Sequence, residues 1–68
     1  MIKPRALIYF KIGSYVKRGI KYGVVIGSYN LMYSMQSAND NIWYSYPEHL
    51  TEISEEEYIF HVLSHHGP

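Results

Sequence analysis

Four of the five glycines in this chain fall between Ile12 and Ser28, where they bracket two short runs of β-branched and aromatic residues. The first run is Ser14-Tyr15-Val16-Lys17-Arg18 and the second is Tyr22-Gly23-Val24-Val25-Ile26-Gly27-Ser28. Glycine supplies the positive-φ positions that tight reversals need, so runs bounded in this way read as strands of a hairpin. In the second run Tyr22, Val24 and Ile26 share one face, and Gly23, Val25 and Gly27 share the other. The small residues leave that second face low, which suits strong bending or the close approach of another backbone.

The same reading extends along the chain. Leu7 to Phe10 is a short apolar run that predicts an incoming strand or an extended arm. Leu31 to Gln36 predicts a third strand, with Leu31, Tyr33 and Met35 on one face. Ser37-Ala38-Asn39-Asp40-Asn41 is a polar turn, and Ile42 to Tyr46 is a fourth strand stopped by Pro47, which cannot donate to a ladder. Pro47 to Leu50 predicts one 3₁₀ turn before a last strand over Thr51–Ile53. Ser54-Glu55-Glu56-Glu57 then has the spacing of a capping box, with Ile53 and Tyr58 at the positions of a hydrophobic staple. A helix is expected from about Glu55 to His65, with Ile59, Val62 and Leu63 as an apolar stripe packed on the sheet. The fold class is therefore mainly β: about five short antiparallel strands and a C-terminal α-helix, in a single domain spanning residues 1–68.

Composition narrows the function classes. Sixty-eight residues lie near the lower size limit for folding without staples, and the absence of cysteine removes disulfides and thiolate metal sites. No apolar run approaches the roughly 20 residues of a membrane span. Lys11 ends the N-terminal apolar run too early for a secretory segment, so the expectation is a soluble, cytoplasmic protein with no membrane partner. Net charge is zero, yet Lys3, Arg5, Lys11, Lys17, Arg18 and Lys21 hold all the basic charge. Asp40, Glu48, Glu52, Glu55, Glu56 and Glu57 hold all the acid. The bland account is that the two halves pair across the fold as surface salt bridges. The sharper one is a basic binding face with an acidic tail.

Residues 13–53 resemble small SH3-like barrels of the Tudor and KOW type. The resemblance rests on Gly13-Ser14-Tyr15-Val16, on the glycine-aliphatic strand Gly23-Val24-Val25-Ile26-Gly27, and on Pro47-Glu48-His49-Leu50-Thr51-Glu52-Ile53 as a turn with a leucine before the last strand. It implies a barrel over about residues 7–53, with the helix of about 55–65 as an addition. A Tudor aromatic cage has no residue-by-residue match here, and the fold hosts many unrelated roles. The small, tyrosine-rich format also resembles accessory proteins of phages and mobile elements.

Catalytic signals are weak. No nucleophile elbow, triad order or phosphate-cradling loop is present, and the glutamates at 55–57 suit a helix N-terminus. The chain reads as a non-enzyme without a cofactor. Glu57, His61 and His65 lie at helical spacing and would offer three metal ligands, but no fourth completes the set, so no metal site is assigned. The eight tyrosines exceed what so small a core should hold. Trp43, Tyr44 and Tyr46, with Asn39 and Asp40 in the adjoining turn, form the candidate contact surface for another protein. Strand alternation sets Trp43 opposite Tyr44 and Tyr46, so one set must point away from the core. The expected function is a protein-interaction module of the phage accessory type that binds and modulates a host protein. The alternative is nucleic-acid binding, with Lys17, Arg18 and Lys21 on phosphates and Tyr15 stacking on a base. Homo-oligomerisation, the basic half of one chain meeting the acidic half of another, is a third expectation.

Overall fold

The structure, a computed structural model, describes residues 10–66, and side chains through Ser64. Five antiparallel strands, β1 (Tyr15–Arg18), β2 (Lys21–Tyr29), β3 (Met32–Gln36), β4 (Ile42–Ser45) and β5 (Thr51–Ile53), are followed by helix α1 (Glu55–His66). A 3₁₀ turn over Pro47–His49 joins β4 to β5. The sheet order is β4-β3-β2-β1-β5, so the first four strands form a meander and the fifth returns beside the first. The mainly-β class with a C-terminal helix is as the sequence predicts. The expected strand or extended arm at Leu7–Phe10 falls outside the described residues except for Phe10, which is buried and not in a strand.

Each connection follows from local chemistry. Arg18 pairs with Lys21 across a two-residue turn in which Gly19 takes φ +61°. Glycine at the first central position is what a type II′ turn requires. Lys21 thus opens β2. The β2–β3 turn is less comfortable: Asn30 and Leu31 both hold positive φ, +49° and +66°. Two positive values match a type I′ turn, which favours Asn-Gly and strains a branched side chain at its second position. Leu31 is therefore in the turn and 87% exposed, not on the inner face of β3 as alternation suggested.

The core lies on one face of the sheet and consists of Phe10, Val16, Val25, Met35, Trp43 and Leu50, with Tyr33 packed against it. Val16 pairs with Gly23, Val25 with Met35, and Met35 with Trp43, so these positions share a face across four strands. Trp43 sits against the backbone of Gly23: a Cβ added there would lie 2.9 Å from the indole Nε1 and 3.0 Å from Met35 Cβ. The low glycine face of β2 thus receives a tryptophan from two strands away. Ile26 is the extra residue of a bulge between Val25 and Gly27, and it is exposed. Bulges increase local twist and bend the strand that carries them.

The sheet curves. Laid flat, β1 and β4 would be about 14 Å apart with side chains standing perpendicular to the sheet. Arg18 Nη1 nevertheless donates to the buried Ser45 Oγ at 3.4 Å, and Lys21 Nζ lies 5.6 Å from the Trp43 ring centroid. A sheet folding its β1 side toward β4 accounts for the Arg18 contact, and the Lys21 side chain, from β2, reaches over the indole on the same side.

Two substitutions test this account in urea denaturation. Gly23→Ala is expected to destabilise by about 1–3 kcal/mol, the usual cost of overpacking. Its Cβ also meets the Gln36 carbonyl at 3.2 Å, a backbone atom that cannot swing aside. Leu31→Gly is expected to stabilise by about 1 kcal/mol, because it relieves the left-handed strain and exposes less apolar surface.

Candidate functional site

The face of the sheet opposite the core is divided in two. Tyr15 and Lys17 on β1 and Tyr22 and Val24 on β2 point to this outer face in paired register. Helix α1 covers them. Ser54 starts the helix as the capping box predicts, its Oγ accepting from the Glu57 N–H at 3.1 Å and its carbonyl from the Tyr58 N–H. The cap sets the first helical turn directly over β1. Tyr15 OH donates to Glu55 Oε2 at 2.9 Å, and Lys17 Nζ donates to Glu57 Oε2 at 3.1 Å. Tyr58 lies against Tyr15 with ring centroids 4.8 Å apart, and His61 stacks on Tyr22 at 3.6 Å with planes within 14° of parallel.

The helix is oriented differently from expectation. Tyr58, His61 and Val62 face the sheet, whereas Ile59 and Leu63 of the anticipated stripe are exposed. The aromatic contacts and the two carboxylate contacts hold α1 by a face that hydropathy alone does not mark. Helical periodicity locates an apolar stripe but does not record that tyrosine and histidine can stack on a strand tyrosine.

The other half of the outer face is bare. Tyr44 pairs with Ser34 and Ile42 with Gln36, which places both on the same side as the helix, over β3 and β4. They are less covered than Tyr15, Lys17, Tyr22 and Val24, all of which are half-buried. Tyr44 is 57% exposed, and Ile42 and Tyr46 are also exposed. β4 is the last strand in the sheet order, so its outer backbone edge has no strand partner among the described residues. The row is bounded at one end by the turn 37–41, closed by Ser37 N–H to Asn41 O at 2.8 Å and Asp40 N–H to Ser37 O at 2.9 Å. Asn39 and Asp40 are exposed there, and Asp40 holds φ +69°. Gln36 Nε2 donates to Asp40 Oδ1 at 3.5 Å.

Of the five residues expected to form a contact surface, four therefore lie along one exposed margin: Asn39, Asp40, Tyr44 and Tyr46. Trp43 does not. It is 9% exposed and part of the core, because alternation along β4 turns it and Ser45 inward. Its contribution is to hold the strand from behind. Ile42 is the residue that sequence reasoning passed over, although the same alternation that exposes Tyr44 exposes Ile42.

The basic set is not gathered into one patch. Tyr15 and Lys17 lie on the outer face beneath the first turn of α1, while Arg18 and Lys21 pair with each other on the opposite side, at the rim of the core. Lys17 is in an ion pair with Glu57 inside the chain, so at least this part of the charge asymmetry resolves as intramolecular pairing. For the Glu57, His61 and His65 ladder, Glu57 is bonded to Lys17, His61 is stacked on Tyr22, and the His65 side chain lies outside the described residues. Among the described residues no three acidic, histidine or cysteine groups converge on a point where a metal would sit. No helix among them is long and apolar enough to cross a membrane.

The contacts under α1 carry a pH signature. The hydrogen bond to Glu55 raises the Tyr15 pKa, and the hydrogen bond to Glu57 raises that of Lys17. Burial raises that of Tyr58. In each case the folded state holds the proton more tightly than the unfolded chain. The stabilisation is complete below the ordinary lysine and tyrosine range, about pH 10, and fades as pH rises through the raised values. Near-ultraviolet circular dichroism of the tyrosines is therefore expected to lose intensity in that alkaline window. In Glu57→Gln, Lys17 is expected to titrate at lower pH than in the native chain, as followed by NMR of its ε-methylene.

No protein-family model matches the chain, and no curated protein or solved structure matches it significantly.

Proposed function

We propose that the protein is a non-enzymatic interaction module that binds another protein along the β4 margin, through Tyr44, Tyr46 and Ile42, with Asn39 and Asp40 at the rim. The observation that carries this reading is the division of the outer face: α1 covers it over β1 and β2 and leaves an aromatic row bare on an edge strand. Large aromatic side chains on a rigid support are the usual anchors of protein interfaces. An edge strand adds a row of backbone donors and acceptors that an extended partner segment can pair with. Trp43 on the inner side fixes the strand, so little order remains to be gained on binding.

The scaffold we propose is an SH3-like barrel. The strand order β4-β3-β2-β1-β5, the bulge in β2 and the 3₁₀ turn before β5 support this reading. The phage accessory format then suggests a host protein, whose activity the module modulates, as the partner. Nucleic-acid binding is less favoured, because the four residues it would use lie on two faces and Tyr15 and Lys17 are engaged by α1.

Capture of a partner from host-cell lysate on the immobilised full chain tests the proposal. Tyr44→Ala and Tyr46→Ala are each expected to reduce recovery about tenfold, as loss of a hot spot does, with the circular dichroism spectrum unchanged. Trp43→Ala is expected to act through the fold, lowering stability by about 3–5 kcal/mol. Capture indifferent to both tyrosines would overturn the assignment. Salt-sensitive binding of oligonucleotides would favour the other reading.

A further inference from the structure

Helix α1 is attached to the sheet from outside. The core cluster contains no residue of the helix, and none of the helix's described side chains is buried. Tyr58, His61 and Val62 are half-buried, and the two carboxylate contacts are made at the surface. Contacts of that kind are individually weak. Undocking α1 therefore leaves the core intact, as for an element that opens locally at a fraction of the global stability.

What undocking uncovers has a specific chemistry. Lys17 and Tyr22 are cross-strand partners on the outer face, with Lys17 Nζ 5.9 Å from the Tyr22 ring centroid. Thr51 and Ile53, which pair with Lys17 and Tyr15 from β5, carry no charge. The carboxylates that meet this face come from α1: Glu57 on Lys17 and Glu55 on the Tyr15 hydroxyl. Beside them α1 lays a planar nitrogen heterocycle, His61, on Tyr22 at 3.6 Å with planes within 14°.

We infer that the outer face of the β1–β2 hairpin is a single-stranded nucleic-acid site, held closed by α1, which occupies it with groups of the same kind. A base stacked on an aromatic ring beside a phosphate on a cation is how single strands are held without sequence readout. Here the Glu57 carboxylate takes the place of the phosphate and the His61 imidazole that of the base. Lys17 and Tyr22 adjoin, as partners for the phosphate and base of neighbouring nucleotides must. An acidic peptide would supply the oxyanions but no ring for Tyr22. Binding requires the open form, so the docked helix lowers the apparent affinity in proportion to the fraction of molecules that are closed. The site lies over different strands from the β4 margin and does not depend on the function proposed there.

Fluorescence anisotropy of a short fluorescein-labelled oligouridylate, with the full chain, provides the test. Ile59→Pro breaks α1 at an exposed position and leaves every charge in place. Trp43, the single tryptophan, is in the core, and unchanged emission shows that the sheet is folded. The variant is expected to bind the probe at least about tenfold more tightly than the native chain, with an affinity that falls as salt rises. Adding Tyr22→Ala or Lys17→Gln is expected to remove the gain. Should Ile59→Pro disturb Trp43, the double variant Tyr58→Ala with His61→Ala trims the two ring contacts instead and is expected to give a gain of the same sign. No gain in a variant whose Trp43 emission is unchanged would overturn the inference. So would a gain that survives both Tyr22→Ala and Lys17→Gln, or one that polyglutamate matches, which would mark the face as a site for acidic peptides.

Discussion

The contact of Trp43 with Gly23 is the constraint on which the rest of the sheet depends. An indole from β4 can rest on β2 only if position 23 has no side chain and the strands between them curve. The curvature in turn brings Ser45 within reach of Arg18, and Lys21 extends over the indole on the same side. The arrangement has a cost. The indole Nε1 is buried with no hydrogen-bond partner among the described residues, a deficit that usually amounts to about 1–3 kcal/mol. Packing offsets it, because the same ring supplies the largest side chain of a six-residue apolar cluster.

Curvature also explains why the two faces of the sheet differ in chemistry. The concave side has room for only a few large groups and is filled by Val16, Val25, Met35 and Trp43. The convex side is too broad for a helix of 12 residues to cover. α1 settles over β1 and β2 because its partners lie there: Tyr15 and Lys17 for the carboxylates of its first turn, Tyr22 for His61. The glutamates therefore serve twice, at the positive end of the helix dipole and as tethers to the sheet. What remains uncovered is set by where those tethers end.

Much of this was legible in the sequence. The strand limits follow from alternation and from glycine and proline punctuation, and the helix start follows from Ser54 and the glutamates after it. The low face of β2 announces a close approach, expected of another backbone, whereas the Trp43 side chain makes it. Three things were not legible, each for a physical reason. Leu31 looked like strand because nothing in its side chain advertises a left-handed turn; the two-residue reach from Tyr29 to Met32 imposes one. The buried side of α1 was misassigned because stacking and tethering outweigh hydropathy on so short a helix. The direction of Trp43 was open because alternation relates Trp43 to Tyr44 without saying which of them is inside. The core decides that, since only Trp43 has a glycine to lie on.

The limits of β4 have a consequence for assembly. A strand edge carrying Ile42 and Tyr44 has the composition that promotes indefinite sheet growth between molecules. Here the exposed ladder is only four residues long. Pro47, which has no N–H to donate, follows one residue after Tyr46, and Asp40 places a charge and a left-handed bend just before Ile42. These flanks act as gatekeepers. They leave room for one short strand in a single register, and they deny a growing stack the length over which repeated backbone pairing would become cooperative.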